Sequence, residues 1–143
     1  MRLSPHFTLE EMIYSDTAKR YKIDNTPKEE IIKNLGYLAH NLLEPLRELL
    51  GRPIVITSGY RCERLNTRIK GSKTSQHMYG QAADIWVRGM SPQLLYETIK
   101  NSGLDYDQLI HEKTKNAEWV HVSYCKHNRH QNLLYKSGVY VLD

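Results

Sequence analysis

Apolar positions recur at helical spacing in the first third of the chain and at strand spacing after it. Thr8-Leu9-Glu10-Glu11 sets Thr three residues before Glu, a capping box that predicts a short helix through Tyr14. A polar loop is expected from Ser15 to Asn25. Thr26-Pro27-Lys28-Glu29 joins an N-cap, a proline at the first helical position and a second capping box, so a long helix is expected to start there. Ile31, Ile32, Leu35, Leu38, Ala39, Leu42, Leu43, Leu46, Leu49 and Leu50 follow at three- and four-residue spacing and give this helix a wide buried stripe. Pro45 should kink it and Gly51 should end it.

Beyond Gly51 the period shortens. Pro53-Ile54-Val55-Ile56-Thr57 is β-branched and predicts a core strand that runs into a sharp turn at Ser58-Gly59-Tyr60. A short helix is expected over 62–70, then a polar loop from Gly71 to Gly80 and a buried strand from Ala82 to Val87. Ser91-Pro92 caps a helix through Asn101, with Gly103 as its stop. Tyr106 to His111 and Trp119 to Tyr124 read as two more strands, and Val139-Tyr140-Val141 as a last edge strand. This order implies an α+β fold, a mostly antiparallel sheet packed by helices.

Composition narrows the function classes. With 143 residues, 40% hydrophobic and 25% charged, residues 1–143 fit one globular domain, expected to be stable as a monomer. Cys62 and Cys125 match neither a disulfide framework nor a zinc knuckle and read as free thiols. No stretch approaches the roughly 18 apolar residues of a membrane span, so no membrane partner is expected. The first seven residues lack an apolar segment of signal-peptide type, which implies synthesis in the cytosol. The net charge of +4 is spread without a dense Lys/Arg run, so nucleic acid is not an expected partner. His127 and His130 have i, i+3 spacing, but no strand-helix pattern flanks them to hold a nuclease site. Seven histidines are the unusual count, and their positions carry the chemistry.

Asp84 lies within Ala82-Ala83-Asp84-Ile85-Trp86-Val87, where an unpaired carboxylate would cost several kcal/mol unless a partner or a metal compensates it. In Trp119-Val120-His121-Val122-Ser123 the valines face one side, and Trp119, His121 and Ser123 the other. If the two strands are neighbours, Asp84 and His121 meet across the sheet and can share one ion. His77 is a third candidate. Asp84 is seven positions further on, about 10 Å along a helix or about 23 Å along a strand, so the chain must fold back, and Gly80 permits such a turn. Two imidazoles and a carboxylate with a fourth position open form a recurring catalytic zinc set.

Ser75-x-His77-x-x-Gly80-x-Ala82-x-Asp84, followed by Glu118-Trp119-x-His121, resembles the signature of the zinc D-Ala-D-Ala carboxypeptidase family, which includes dipeptidases and many phage endolysins. Ser58-Gly59-Tyr60-Arg61, Leu65-Asn66 and Trp119-Val120-His121-Val122-Ser123 resemble its small single-domain branch, and the likeness covers roughly residues 4 to 124. The resemblance implies the hedgehog-like fold of that family, with a zinc ion (Zn2+) held by His77, Asp84 and His121. It implies Glu118 as general base, Arg61 as the arginine on the substrate carbonyl and Ser75 as a serine beside the site. In a regular strand, however, Glu118 and His121 face opposite sides, so Glu118 reaches the site only if the chain bends at Ala117-Glu118, and Glu112 stands as a second candidate base.

The activity so implied is zinc-dependent hydrolysis of a peptide bond in the stem or cross-link of peptidoglycan, by a carboxypeptidase or an endolysin-type endopeptidase. The missing signal segment fits a phage or prophage lysis enzyme that reaches the cell wall by another route. The alternative is a catalytically silent, zinc-containing binding module on the same fold.

Overall fold

The leucine stripe and the valine face of the strands bury against each other, and this sets the layering of residues 1–143, described here by a computed structural model. Leu35, Leu38, Ala39, Leu42, Leu43 and Leu46 pack with Ala83, Ile85, Val87, Leu109, Val120 and Val122 in one core cluster, all buried. The helices therefore cover one face of a sheet. The other face carries the residues that alternate with this core set, polar ones together with Ile110 and Leu133.

A small hairpin, β1 (Arg2–Ser4) and β2 (Phe7–Thr8), precedes α1 (Leu9–Ile13), whose Thr8–Glu11 capping box forms as the sequence predicts. The expected loop after it contains a short helix, α2 (Asp16–Arg20), capped by Ser15. The long helix is one continuous run in three pieces: α3 (Glu29–Leu38), a π-helical turn (Ala39–Leu43) and α4 (Glu44–Leu50). The second capping box does not form, because Lys28 is the N-cap and makes no side-chain bond. The run stays continuous through Pro45. Proline cannot donate to the carbonyl four residues back, and the ladder widens just before it, with Glu44 N–H reaching Ala39 O five residues away. Gly51 closes the run at φ 65°.

Six strands form the sheet in the order β3-β4-β6-β5-β7-β8, where β3 is Val55–Ser58, β4 Ala82–Trp86, β5 Gln108–Lys113, β6 Glu118–Ser123, β7 Gln131–Lys136 and β8 Val139–Leu142. All pairings are antiparallel except β5–β7, so the α+β class with a mostly antiparallel sheet holds. β3 is an edge strand and not the core strand its β-branched run suggests: only one of its sides is paired, and Val55 is 42% exposed. β7 has too few apolar residues for its period to stand out. Between β3 and β4 lie α5 (Glu63–Arg68) and a 3-10 turn (Gln76–Tyr79), and α6 (Pro92–Lys100) follows β4. No helix is long and apolar enough to cross a membrane.

Candidate metal centre

Asp84 on β4 and His121 on β6 are direct register partners, and they project from the face opposite the helices. Asp84 Oδ1 lies 3.0 Å from His121 Nδ1 and 3.3 Å from His77 Nε2. One ligand atom from each of the three residues falls within a 4.8 Å span. A tetrahedral zinc with bonds of about 2.0–2.1 Å sets its ligand atoms roughly 3.3 Å apart, so the spacing suits such an ion.

The local sequence explains how His77 returns to Asp84. Ser75 Oγ accepts the His77 N–H and caps the 3-10 turn, and Gly80 ends it at φ 70°. A Cβ at Gly80 would meet the Ile31 carbonyl oxygen at 2.8 Å, so both conformation and space call for glycine. On the other side, Arg61 N–H donates to His77 O, and buried Asn25 clamps the Tyr60–Cys62 turn by donating to Tyr60 O and accepting from Cys62 N–H. Gly59 is equally constrained: a Cβ there would sit 2.1 Å from Met12 O.

The ring of His77 carries the strongest argument for a cation. Its Nδ1 lies 2.7 Å from Gly59 O, and a carbonyl oxygen only accepts, so the proton is on Nδ1. In the neutral ring Nε2 then turns a lone pair toward Asp84 Oδ1. Burial pushes the His77 pKa down, against the pull of Asp84, and so favours that neutral ring. A bare lone pair facing a carboxylate oxygen is repulsive unless a positive ion lies between them. Gly59 O is the outer-shell partner that fixes the tautomer, an arrangement metal-bound histidines usually have. Burial would raise Asp84, and the hydrogen bond from His121 Nδ1 at 3.0 Å opposes it by favouring the carboxylate. Asp84 is therefore charged and available as a ligand.

A cleft of about 610 Å³ opens over these three residues and is also lined by Arg61, Ser75, Glu112 and Trp119. Arg61 is half-buried, and its Nε has no hydrogen-bond partner. Burial lowers its pKa, while the nearby charges of Asp84 and Glu112 counter this. An unpaired guanidinium N–H beside the ligands is a donor free for a substrate oxygen.

The two glutamates part company. β6 is regular from Glu118 onward, in register with Lys113, so the bend that would turn Glu118 toward the cleft is absent. Glu118 lies on the helix-covered face and hydrogen-bonds His111, whose ring packs on Tyr96 of α6. Glu112 pairs with Trp119 in the β5–β6 register and lines the cleft. Trp119 Nε1 donates to its Oε2 at 3.0 Å. Burial pushes the Glu112 pKa up, with Asp84 adding to it and His121 opposing.

Sequence reasoning missed Asp107, which anchors the cleft floor from behind. It is buried, accepts from Arg129 Nε at 2.9 Å, Nη2 at 2.8 Å and backbone N at 2.9 Å, and takes a bond from Gln76 Nε2 at 2.9 Å, next to His77. Its sequence signal is slight, a carboxylate two residues before the apolar pair Leu109-Ile110 of β5. Arg129 lowers the Asp107 pKa despite burial. The stabilisation is therefore present above the unfolded value of about 3.9 and is lost as pH falls through the lower folded value. Asp107→Asn is expected to cost about 2 kcal/mol at neutral pH. Urea unfolding should show this gap to wild type narrowing as pH falls below the unfolded value of about 3.9. A gap that persists unchanged in acid would contradict the charge argument.

Comparison with known proteins agrees with this geometry. The family model described as Peptidase M15 matches residues 5–123. The zinc D-Ala-D-Ala carboxypeptidase of Streptomyces albus G is 32% identical over 62 residues, which cover 43% of this chain and 24% of that protein. The chain thus spans about a quarter of the length of this curated relative. The family match takes in all three candidate ligands together with Arg61, Ser75, Glu112 and Glu118, and the chain belongs to the peptidase M15 family.

Proposed function

We propose that residues 1–143 act as one zinc peptidase unit that hydrolyses a peptide bond in the stem or cross-link of peptidoglycan. The observation that carries this reading is the convergence of His77 Nε2, Asp84 and His121 on one point, with the other His77 nitrogen already committed to Gly59 O. The donor set and spacing fit zinc, and the wall substrate is supported by the activity named for the Streptomyces relative. Bound there, zinc would supply Lewis acidity toward the scissile carbonyl and would acidify water.

His77, Asp84 and His121 are the proposed ligands. Glu112 is the proposed base: its carboxylate accepts a proton from the attacking water and returns it to the leaving amine, and Trp119 fixes its orientation. Arg61 donates to the carbonyl oxygen as negative charge develops on it. Ser75 acts one step back, by capping the turn that presents His77. Substitution of Glu112 for Glu118 in the role of base follows from the faces of the strands, because only Glu112 shares the face of His121.

The test is digestion of purified peptidoglycan by the zinc-loaded protein, with mass spectrometry of the released muropeptides. Cleavage at a stem or cross-bridge peptide bond, abolished by chelator and restored by zinc, is the expected result. One equivalent of zinc bound with no peptide released would overturn the enzyme reading in favour of a binding module. The masses also separate carboxypeptidase from endopeptidase action.

A further inference from the structure

Residues 131–142 lie beyond the segment matched by the family, yet sheet register carries them to the cleft. β7 pairs with β5 and sets Tyr135 beside Glu112, and β8 pairs with β7 and sets Tyr140 beside Tyr135. Register partners share a face, so Trp119, Glu112, Tyr135 and Tyr140 form one row across four strands. The adjacent row, two residues along at about 7 Å, contains Asp84 and His121.

The carboxyl of Glu112 is approached from both sides of its row. Trp119 holds Oε2, and the Tyr140 hydroxyl points at Oε1 from 3.5 Å. That distance is at the outer limit for a hydrogen bond, a separation catalytic contacts often show before substrate tightens them. The Tyr140 and Tyr135 rings lie 4.5 Å apart, and both line the cleft. Core burial does not account for this placement. Tyr140 is 55% exposed, and Val139, Val141 and Leu142 on the same strand are more than half exposed. Desolvation of the hydroxyl, then the Glu112 carboxylate, push the Tyr140 pKa up to about 12, so at neutral pH it can only donate toward that carboxylate.

We propose that the cleft-facing side of the β7–β8 hairpin is part of the active site, and that Tyr140 is a positioning residue whose hydroxyl orients the Glu112 carboxyl while its ring, packed on Tyr135, walls the substrate cleft. The inference rests on Glu112 being the base. Tyr140 acts through that carboxylate and the wall it forms, so its hydroxyl and its ring make separable contributions.

The experiment is steady-state kinetics on a defined muropeptide with the full-length, zinc-loaded protein, alongside zinc content and thermal unfolding for every variant. Tyr140→Phe is expected to lower kcat about tenfold and leave KM within about twofold, because only the orienting hydroxyl is lost. Tyr140→Ala should show the same kcat loss and a KM raised at least about threefold, because the wall is gone as well. Val141→Thr, on the opposite face of β8, should match wild type. Wild-type kcat and KM in Tyr140→Phe, with Glu112→Gln inactive, would overturn the role of Tyr140 and leave the base in place. Full activity in Glu112→Gln would overturn both assignments. A kcat loss in Tyr140→Phe that tracks lost zinc or a lowered unfolding temperature would reduce the residue to a structural one.

Discussion

Glu112→Gln is expected to lower kcat/KM for peptide hydrolysis by about 10³-fold, within the range seen when a positioned general base is lost. The amide keeps the size of the side chain and an oxygen for the Trp119 N–H, so the sheet and the ligands should stay in place. What disappears is the proton acceptor. Glu118→Gln is expected to change kcat/KM by less than about threefold, since Glu118 lies across the sheet from the cleft, bonded to His111. Kinetics on both variants with zinc content measured in parallel decides between them. An inactive, zinc-replete Glu118→Gln beside an active Glu112→Gln would mean that β6 turns over in solution and that Glu118 serves as the base.

The second large effect concerns the metal. Zinc at a hundred times its Kd should stabilise the wild-type protein by about 2.7 kcal/mol, roughly 8 °C in Tm for a chain of this size. Two sources feed this gain: three ligand atoms already converge within 4.8 Å, and a cation relieves the opposition of the His77 Nε2 lone pair and Asp84 Oδ1. Asp84→Asn isolates the second source. The introduced amide can donate a hydrogen bond to Nε2, so the zinc-free variant should unfold no lower than zinc-free wild type, while the zinc-dependent rise and the activity both vanish. Differential scanning calorimetry with and without zinc reads all of this. A rise of equal size in Asp84→Asn would exclude Asp84 as a ligand.

Several elements follow from the sequence through local rules. The capping box at Thr8–Glu11, the proline irregularity before Pro45, the glycine stops at Gly51 and Gly103 and the alternation of Val120 and Val122 against His121 are each set within a few residues. Other elements depend on distant partners and were hidden for that reason. β3 reads as a core strand by composition, but its edge position is decided by which strands pair. β7 and the hairpin it forms with β8 take shape on the scaffold of β5, twenty-odd residues earlier. The 3-10 turn that presents His77 depends on Gly59 and Arg61, which come from another part of the chain.

The amino-acid sequence by itself singled out Asp84, His121 and His77 as candidate ligands, because a carboxylate in an apolar strand is costly unless it is paired or bound to a metal. It also determined that Asp84 and His121 belong to strands, since the two-residue period is a local property. Only the tertiary structure decided that these strands are neighbours in direct register, that His77 turns its Nε2 to them, and that Glu112 shares their face while Glu118 does not. Facing is a local matter once a strand is regular. Regularity at Ala117–Glu118 is set by pairing with β5, a contact between segments that meet only when the sheet has formed.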